Sequence, residues 1–261
     1  MSNALAVPGL LAVVQNIAGP FCRHRGLRFV GIGAPGLPAG AGAGAGGAGA
    51  GPGEAGADTA ERDRILGLFE RDHFLRLNAE RPEPRGRRSA VAILVLVPGK
   101  DLEHHSPDFK KVFDAVLRDE RLDEVIVAGS PALFAQKAIA AHVGAVRRAR
   151  AGALGAEPRD DPRGLAAFVS VYPHSMFALV VPEHVAVYRH TPLTPEEARA
   201  FLEGARLEAS QLPLIHDNDP PVVWAGGRAG QLVAVDRVSP LGGYERVYRR
   251  VVEGPHDRGM A

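Results

Sequence analysis

The chain has 261 residues, 46% hydrophobic and 23% charged, enough apolar side chain for one large folded domain or two small ones. Its 31 basic and 30 acidic residues leave a formal charge of +1, which argues against a free-standing nucleic-acid binder, since such proteins carry a basic excess. A single cysteine, Cys22, excludes an internal disulfide and a cysteine-based zinc site and fits a reducing compartment better than secretion.

The apolar stretch at residues 5–18 lacks a basic leader, is interrupted by Pro8, Gln15 and Asn16, and is too short to span a bilayer. It reads as a first helix, with Leu10, Leu11, Val14 and Ile17 on one face, turning at Gly19-Pro20 toward a short strand at 27–30. Residues 33–57 are nearly all Gly, Ala and Pro. They offer nothing large to bury and would lose much backbone entropy on ordering, so a disordered surface insertion is expected.

A helix is expected from residue 58, with Ile65, Leu66, Phe69 and His73 on one face, ended by Pro82, Pro84 and Gly86. The continuous apolar run at 91–97 reads as a strand buried on both faces. A helix at 109–117, a second buried strand at 125–127 and a helix at 133–146 follow. This order predicts a small α/β layer with parallel strands. Residues 147–165 have linker composition, which puts the first domain at 1–165. Short extended runs are expected at 168–171 and 177–181.

The second domain, at 166–253, carries the clearest local signals. Thr194 caps a helix, Pro195 suits its first position and Glu197 closes a capping box. Ala198, Phe201, Leu202 and Ala205 then form one apolar face. Gln211-Leu212-Pro213 ends the element, and Asp219-Pro220-Pro221 reads as a turn. A loop at 226–230 leads into a strand at 231–237, and Gly242-Gly243 turns into a last strand at 244–252. There Tyr244, Arg246, Tyr248 and Arg250 share one face, with Val247 and Val251 on the other. The whole is a compact α+β unit.

These residues resemble a known family, the shared fifth subunit of eukaryotic-type DNA-directed RNA polymerases together with its short archaeal counterpart. Leu179-Val180-Val181-Pro182-Glu183-His184, Leu193-Thr194-Pro195-Glu196-Glu197 and Gln211-Leu212-Pro213-Leu214-Ile215 match its motifs at matching separation. Asp219-Pro220, Gly226, Gly230, Arg237, Ser239, Gly243 and Tyr248-Arg249 fall where the family places the same residues. The resemblance implies an α+β assembly domain docking on the largest polymerase subunit through Pro182, His184, Gln211, Leu212, Pro213, Asp219, Pro220, Arg237, Ser239, Gly243, Tyr248 and Arg249. More weakly, the front of the chain is similar to the eukaryotic α/β jaw domain near downstream DNA. Cys22-Arg23-His24-Arg25-Gly26 and Val125-Ile126-Val127 carry that likeness, and Ser130, Pro131 and Lys137 are implied to be DNA-proximal. The implied protein is a non-catalytic structural subunit with no cofactor, metal or small-molecule substrate of its own.

Departures from the family include Val223 in place of arginine, Glu245 in place of tyrosine, extra residues between His184 and Leu193, and Leu133-Phe134 in the DNA-proximal segment. They point to a fast-evolving lineage, such as a large DNA virus with its own polymerase. The expected location is therefore the nucleus, or a virion or viral factory.

Two competing readings rest on other residues. Gly31-Ile32-Gly33-Ala34-Pro35-Gly36 matches G-x-G-x-x-G, with Glu54 and Asp58 beyond it. This would suit a nucleotide-dependent oxidoreductase, but low-complexity chain follows where the fingerprint needs a helix. His104-His105 with Asp101, Glu103 and Asp108 reads as a solvated loop, since its spacing fits no metal site. Arg246, Arg249 and Arg250 suit acidic groups of a partner subunit or nucleic-acid phosphates.

Overall fold

The computed structural model describes residues 7–33, 63–68, 74–82, 88–96, 122, 124–130, 168–239 and 242–254. The chain divides into two compact units, Met1–Cys22 with Gly26–Ala178, and Arg23–Arg25 with Leu179–Ala261.

The first unit holds a five-stranded sheet in chain order: β1 (Arg28–Gly33), β2 (Phe74–Pro82), β3 (Arg88–Leu96), β4 (Glu124–Gly129) and β5 (Phe168–Pro173). β1, β2 and β3 are antiparallel neighbours, whereas β3, β4 and β5 run parallel. The two apolar runs read as buried strands are β3 and β4. Residues 91–96 and all of β4 are buried, as expected for strands covered on both faces. The buried Glu124 carboxylate accepts a hydrogen bond from Arg81 at 3.2 Å, which offsets the cost of burying its charge.

Three expectations for this unit need correction. Helix is found at 63–68, but the chain from Phe74 to Pro82 is strand β2, not a helix reaching the prolines. Pairing with β1 on one side and β3 on the other outweighs the helical spacing. Helix α1 (Val7–Asn16) buries Leu10, Val13 and Val14, yet it does not turn at Gly19-Pro20. It continues through a π-helical turn at Ile17–Phe21 into a helical turn at Cys22–His24. The wider turn tolerates Pro20, which has no N–H to donate. The predicted boundary at 165 also moves. β5 pairs with β4, Phe177 meets Phe21 edge to face at 5.0 Å, and Asn16 Nδ2 donates to the Phe177 carbonyl at 2.9 Å. Residues 168–178 therefore belong to the first unit. Residues 34–57, the helices expected at 109–117 and 133–146, the linker at 147–165 and the His104-His105 cluster lie outside the described residues.

The second unit is α+β. Its four-stranded sheet has the order β6 (Arg189–Pro192), β8 (Leu232–Val238), β9 (Tyr244–Val252), β7 (Leu214–His216). β8 and β9 form an antiparallel hairpin, β6 pairs antiparallel with β8, and β7 runs parallel to the end of β9. The register puts Ile215, Val233, Val235 and Val251 on one face. There they form a core with Val222 of helix α3 (Pro220–Ala225), and Val247 packs against it. On the opposite face Tyr248 stacks on Phe201 of helix α2 (Pro195–Ala205), ring centroids 3.7 Å apart.

Two local expectations change here as well. The run at 177–181 is not extended; 3₁₀ turns occupy His174–Phe177 and Val181–Glu183. Asp219-Pro220-Pro221 does not merely turn the chain but starts α3, whose Val222, Val223 and Trp224 are buried. Proline in the first helical turn sacrifices no intrahelical hydrogen bond.

Candidate assembly interface

The local signals of the second unit become specific contacts. Thr194 Oγ1 accepts from the Glu197 N–H at 3.2 Å, and Glu197 Oε2 accepts from the Thr194 N–H at 2.8 Å. That reciprocal pair satisfies two donors that a helix start leaves open. Gly226, Gly230 and Gly243 all have positive φ, at 79°, 91° and 89°. At Gly226, which closes α3, a Cβ would also lie 2.9 Å from Arg25 Nε. A side chain there is disfavoured by the backbone conformation and would have to displace the Arg25 guanidinium.

A groove of about 320 Å³ opens beside α3, on the sheet face that α3 packs against. Ile215, Pro221, Val235 and Val247 line it with apolar surface; Asp219, Arg237 and Arg249 add charge of both signs, and Tyr188 and His190 complete it. Arg237 Nε donates to Glu245 Oε1 at 2.6 Å, so its charge is compensated locally. Among the described residues Arg249 makes a long contact, 3.5 Å, to the Leu214 carbonyl. Asp219 occupies the N-cap position of α3 without a side-chain capping bond. Burial holds the His190 imidazole below its ordinary pKa, partly offset by a 2.8 Å hydrogen bond to the Tyr188 carbonyl. The groove thus pairs an apolar floor with nearly balanced charge.

Of the residues singled out from sequence, the structure brings Asp219, Arg237 and Arg249 together on this groove. Pro220 lies beside Asp219 in α3. Gln211, Leu212 and Pro213 lead into β7, and the Pro213 carbonyl accepts from the Arg250 N–H at 2.9 Å. Ser239 donates its N–H to the Gly243 carbonyl at 2.9 Å, closing the β8–β9 hairpin. Tyr248 is on the opposite face, against Phe201. Pro182 and His184 do not line the groove; they form a separate turn in which His184 Nδ1 accepts from the Ala186 N–H at 3.2 Å. In the first unit Ser130 is half-buried just after β4, while Pro131 and Lys137 lie outside the described residues.

Sequence reasoning missed Tyr188, His190 and Trp224. β6 has four residues, too few to display a period. Trp224, the chain's one tryptophan, follows a Pro-Pro helix start and is fully buried; reading that start as a helix rather than a turn would have exposed it. The glycine fingerprint is overturned by the fold. Gly31 and Gly33 lie within β1, which pairs antiparallel with β2, and Gly31 (φ 150°) sits at a register shift. A dinucleotide fingerprint needs a parallel strand–turn–helix unit; here Gly31 instead follows a bulge-like register shift at Val30, and Gly33 pairs in regular register with Arg76; Gly36 lies outside the described residues. Among the described residues no helix is long and apolar enough to cross a membrane.

The family described as RNA polymerase Rpb5, C-terminal domain, matches residues 179–251. The DNA-directed RNA polymerase subunit Rpo5 of Thermococcus kodakarensis is 42% identical over 71 residues, 27% of this chain and 87% of that protein. The chain belongs to the Rpb5 family of RNA polymerase subunits. Rpo5 of Nitrosopumilus maritimus is 35% identical over 75 residues, 29% of this chain and 90% of the relative. The DNA-directed RNA polymerase RPB5 homolog of African swine fever virus (isolate Pig/Kenya/KEN-50/1950) is 26% identical over 192 residues, 73% of this chain and 85% of that protein. The archaeal matches are about as long as the second unit. The viral match is much longer, so it extends beyond that unit.

Proposed function

We infer that this Rpb5-family chain is a non-catalytic structural subunit of a multisubunit DNA-directed RNA polymerase. The observation that carries the reading is the coincidence of the family match at residues 179–251 with the second compact unit. Its partner is the polymerase core. More specifically, the second unit docks on the largest subunit, with the groove around Asp219, Arg237 and Arg249, the adjoining Gln211–Pro213, and Tyr248 on the opposite sheet face as its contact residues. The apolar floor and compensated charge of that groove support a protein partner over nucleic-acid phosphates, which call for excess positive charge. Nucleotide addition belongs to other subunits.

The first unit acts as the jaw-like domain near downstream DNA, with Ser130, Pro131 and Lys137 on the DNA side. The length of the viral match supports this two-unit form over the short archaeal one. The viral relatives also support a virus-encoded polymerase, and with it a virion or viral-factory location rather than the nucleus.

A tagged pull-down from the native source, read by mass spectrometry, tests the subunit reading. Stoichiometric recovery of the two large polymerase subunits is expected; recovery of the chain alone refutes it. Replacing both Tyr248 and Arg249 by Ala then tests the contact surface, and undiminished recovery of the polymerase would remove the last strand from the interface.

A further inference from the structure

β9 is nine residues long, but its neighbour β7 covers only the end of it, pairing Leu214–His216 with Arg250, Val251 and Val252. Alternate residues of an antiparallel strand point their N–H and C=O groups to opposite sides. The backbone hydrogen bonds fix which side is which. Gly243 and Val251 bond toward the β8 side, through Ser239 N–H to Gly243 carbonyl and Val251 N–H to Gln231 carbonyl, each 2.9 Å. Arg250 and Val252 bond toward the β7 side, through Arg250 N–H to Pro213 carbonyl at 2.9 Å and Asp217 N–H to Val252 carbonyl at 3.0 Å. The register between β8 and β9 has no shift from Tyr244 to Arg250. Tyr244, Arg246 and Tyr248 therefore direct their backbone donors and acceptors outward, where no strand pairs with them among the described residues.

Among the described residues the chain leaves this slot open. Pro213 precedes β7 and has no N–H with which to extend the ladder back along β9. Of the usual devices that protect an edge, the open stretch has only charge, and Glu245 and Arg246 are both engaged in ion pairs within the sheet. It contains no proline, and its central cation is turned away: Arg246 is held by Asp236 of β8, with contacts of 2.6 and 3.1 Å. Tyr244 at the start of the slot is 89% exposed, and Val238, opposite it, is 52% exposed. On the groove face the slot borders the groove, because Val247 belongs to both and Arg249 follows directly after the slot.

We propose that an extended segment of a partner polymerase subunit adds to the sheet along Tyr244–Tyr248, in line with β7, as a fifth strand. Three outward rungs of backbone donors and acceptors call for an extended main chain rather than a helix face. The side chain that the added strand places beside Val247 enters the groove. It is aliphatic and uncharged, since Ile215, Val235 and Val247 form the floor and the rim charges balance one another. This inference deepens the subunit reading above and rests on it.

The test compares Arg246→Pro with Arg246→Ala in the full chain, co-expressed with the polymerase subunits of its source. Both variants lose the Asp236 ion pair; only proline removes the outward N–H, and at an open edge it breaks no internal ladder bond. The Ala variant is expected to enter the polymerase nearly as well as the parent. The Pro variant is expected to lose recovery about tenfold or more, the scale of a lost backbone hydrogen bond with its register. Equal recovery of the two variants overturns strand addition while leaving the subunit reading intact. Absence of the parent chain itself from the polymerase overturns both. Hydrogen exchange of the parent gives a readout independent of the variants' folding. The amides of Tyr244, Arg246 and Tyr248 should exchange fast in the free chain and be protected in the complex; fast exchange in both overturns the proposal.

Discussion

β4 and β9 are both strands inside mixed sheets but are left in different states. β4 is hydrogen-bonded to parallel strands on both edges, and all six of its residues are buried. β9 is three residues longer, yet Val251 is its one buried residue, and the stretch from Tyr244 to Tyr248 has a neighbour on one edge only among the described residues. The difference separates two uses of a strand. In β4 nearly every interaction is satisfied within the chain, so the residues act on stability. In β9 backbone groups and apolar surface remain unspent, so the residues act on association.

The contrast is tested most strongly by truncation. Ile126, in the middle of β4, is fully buried, and Ile126→Ala should cost about 2–5 kcal/mol through lost burial and the cavity left behind. Val247 in β9 is half-buried beside the groove, and Val247→Ala should cost the free chain about 1 kcal/mol or less. Urea unfolding of the isolated chain measures both. Equal losses would break the comparison, because β9 would then be as deeply embedded in its own unit as β4 is.

Next in size is Gly226→Ala, which forces a Cβ onto a φ of 79° and against the Arg25 guanidinium. A loss of about 1–3 kcal/mol is expected from backbone strain and displaced packing. Trp224, buried two residues earlier and the sole tryptophan, gives the readout through its emission on unfolding. An unchanged midpoint would mean that the turn relaxes freely, and that the close packing of α3 is not what shapes the groove.

How much of this is legible in sequence depends on the range of the interactions. The Thr194 and Glu197 capping box, the glycine turns and the β8–β9 hairpin are encoded within a few residues, and the structure contains each of them. Strands β3 and β4 are legible because burial on both faces writes a continuous apolar run. β2 is not, because its conformation is set by partners far away in the chain, Arg28–Gly33 and Arg88–Leu96. The same holds for residues 168–178, whose place in the first unit depends on β4 and on Phe21. The groove is half legible. Asp219, Arg237 and Arg249 stand out through their resemblance to family positions, but only the sheet register shows that they share a surface, and nothing local marks Tyr188 or His190.

A smaller effect is expected at the start of α2. Thr194→Ala removes the acceptor for the Glu197 N–H and should cost about 1 kcal/mol. Because α2 carries Phe201 against Tyr248, this variant asks whether the helix-covered face of β9 tolerates local fraying. A thermal midpoint equal to the parent's would show that the stacking contact, not the cap, holds the helix in place.

The smallest effect is one of pH, and it contrasts a histidine in each unit. His174 is buried beyond β5, its Nε2 2.8 Å from the Leu96 carbonyl, and desolvation lowers its pKa from the ordinary 6.5, partly offset by hydrogen bonds to the Leu96 and Ala128 backbones. The unfolded chain then takes up a proton at pH values where the folded chain does not. Stability is fully present above 6.5 and falls as the pH drops from there toward the lower folded-state value. His190 is shifted the same way in the groove, but it is only half-buried and should contribute less. Urea midpoints measured from about pH 7.5 down to about pH 5 should therefore decline less steeply in His174→Gln than in the parent, with His190→Gln in between. The reverse order would place the stronger desolvation in the groove, making it the more enclosed of the two sites and undoing its assignment as an open surface awaiting a partner.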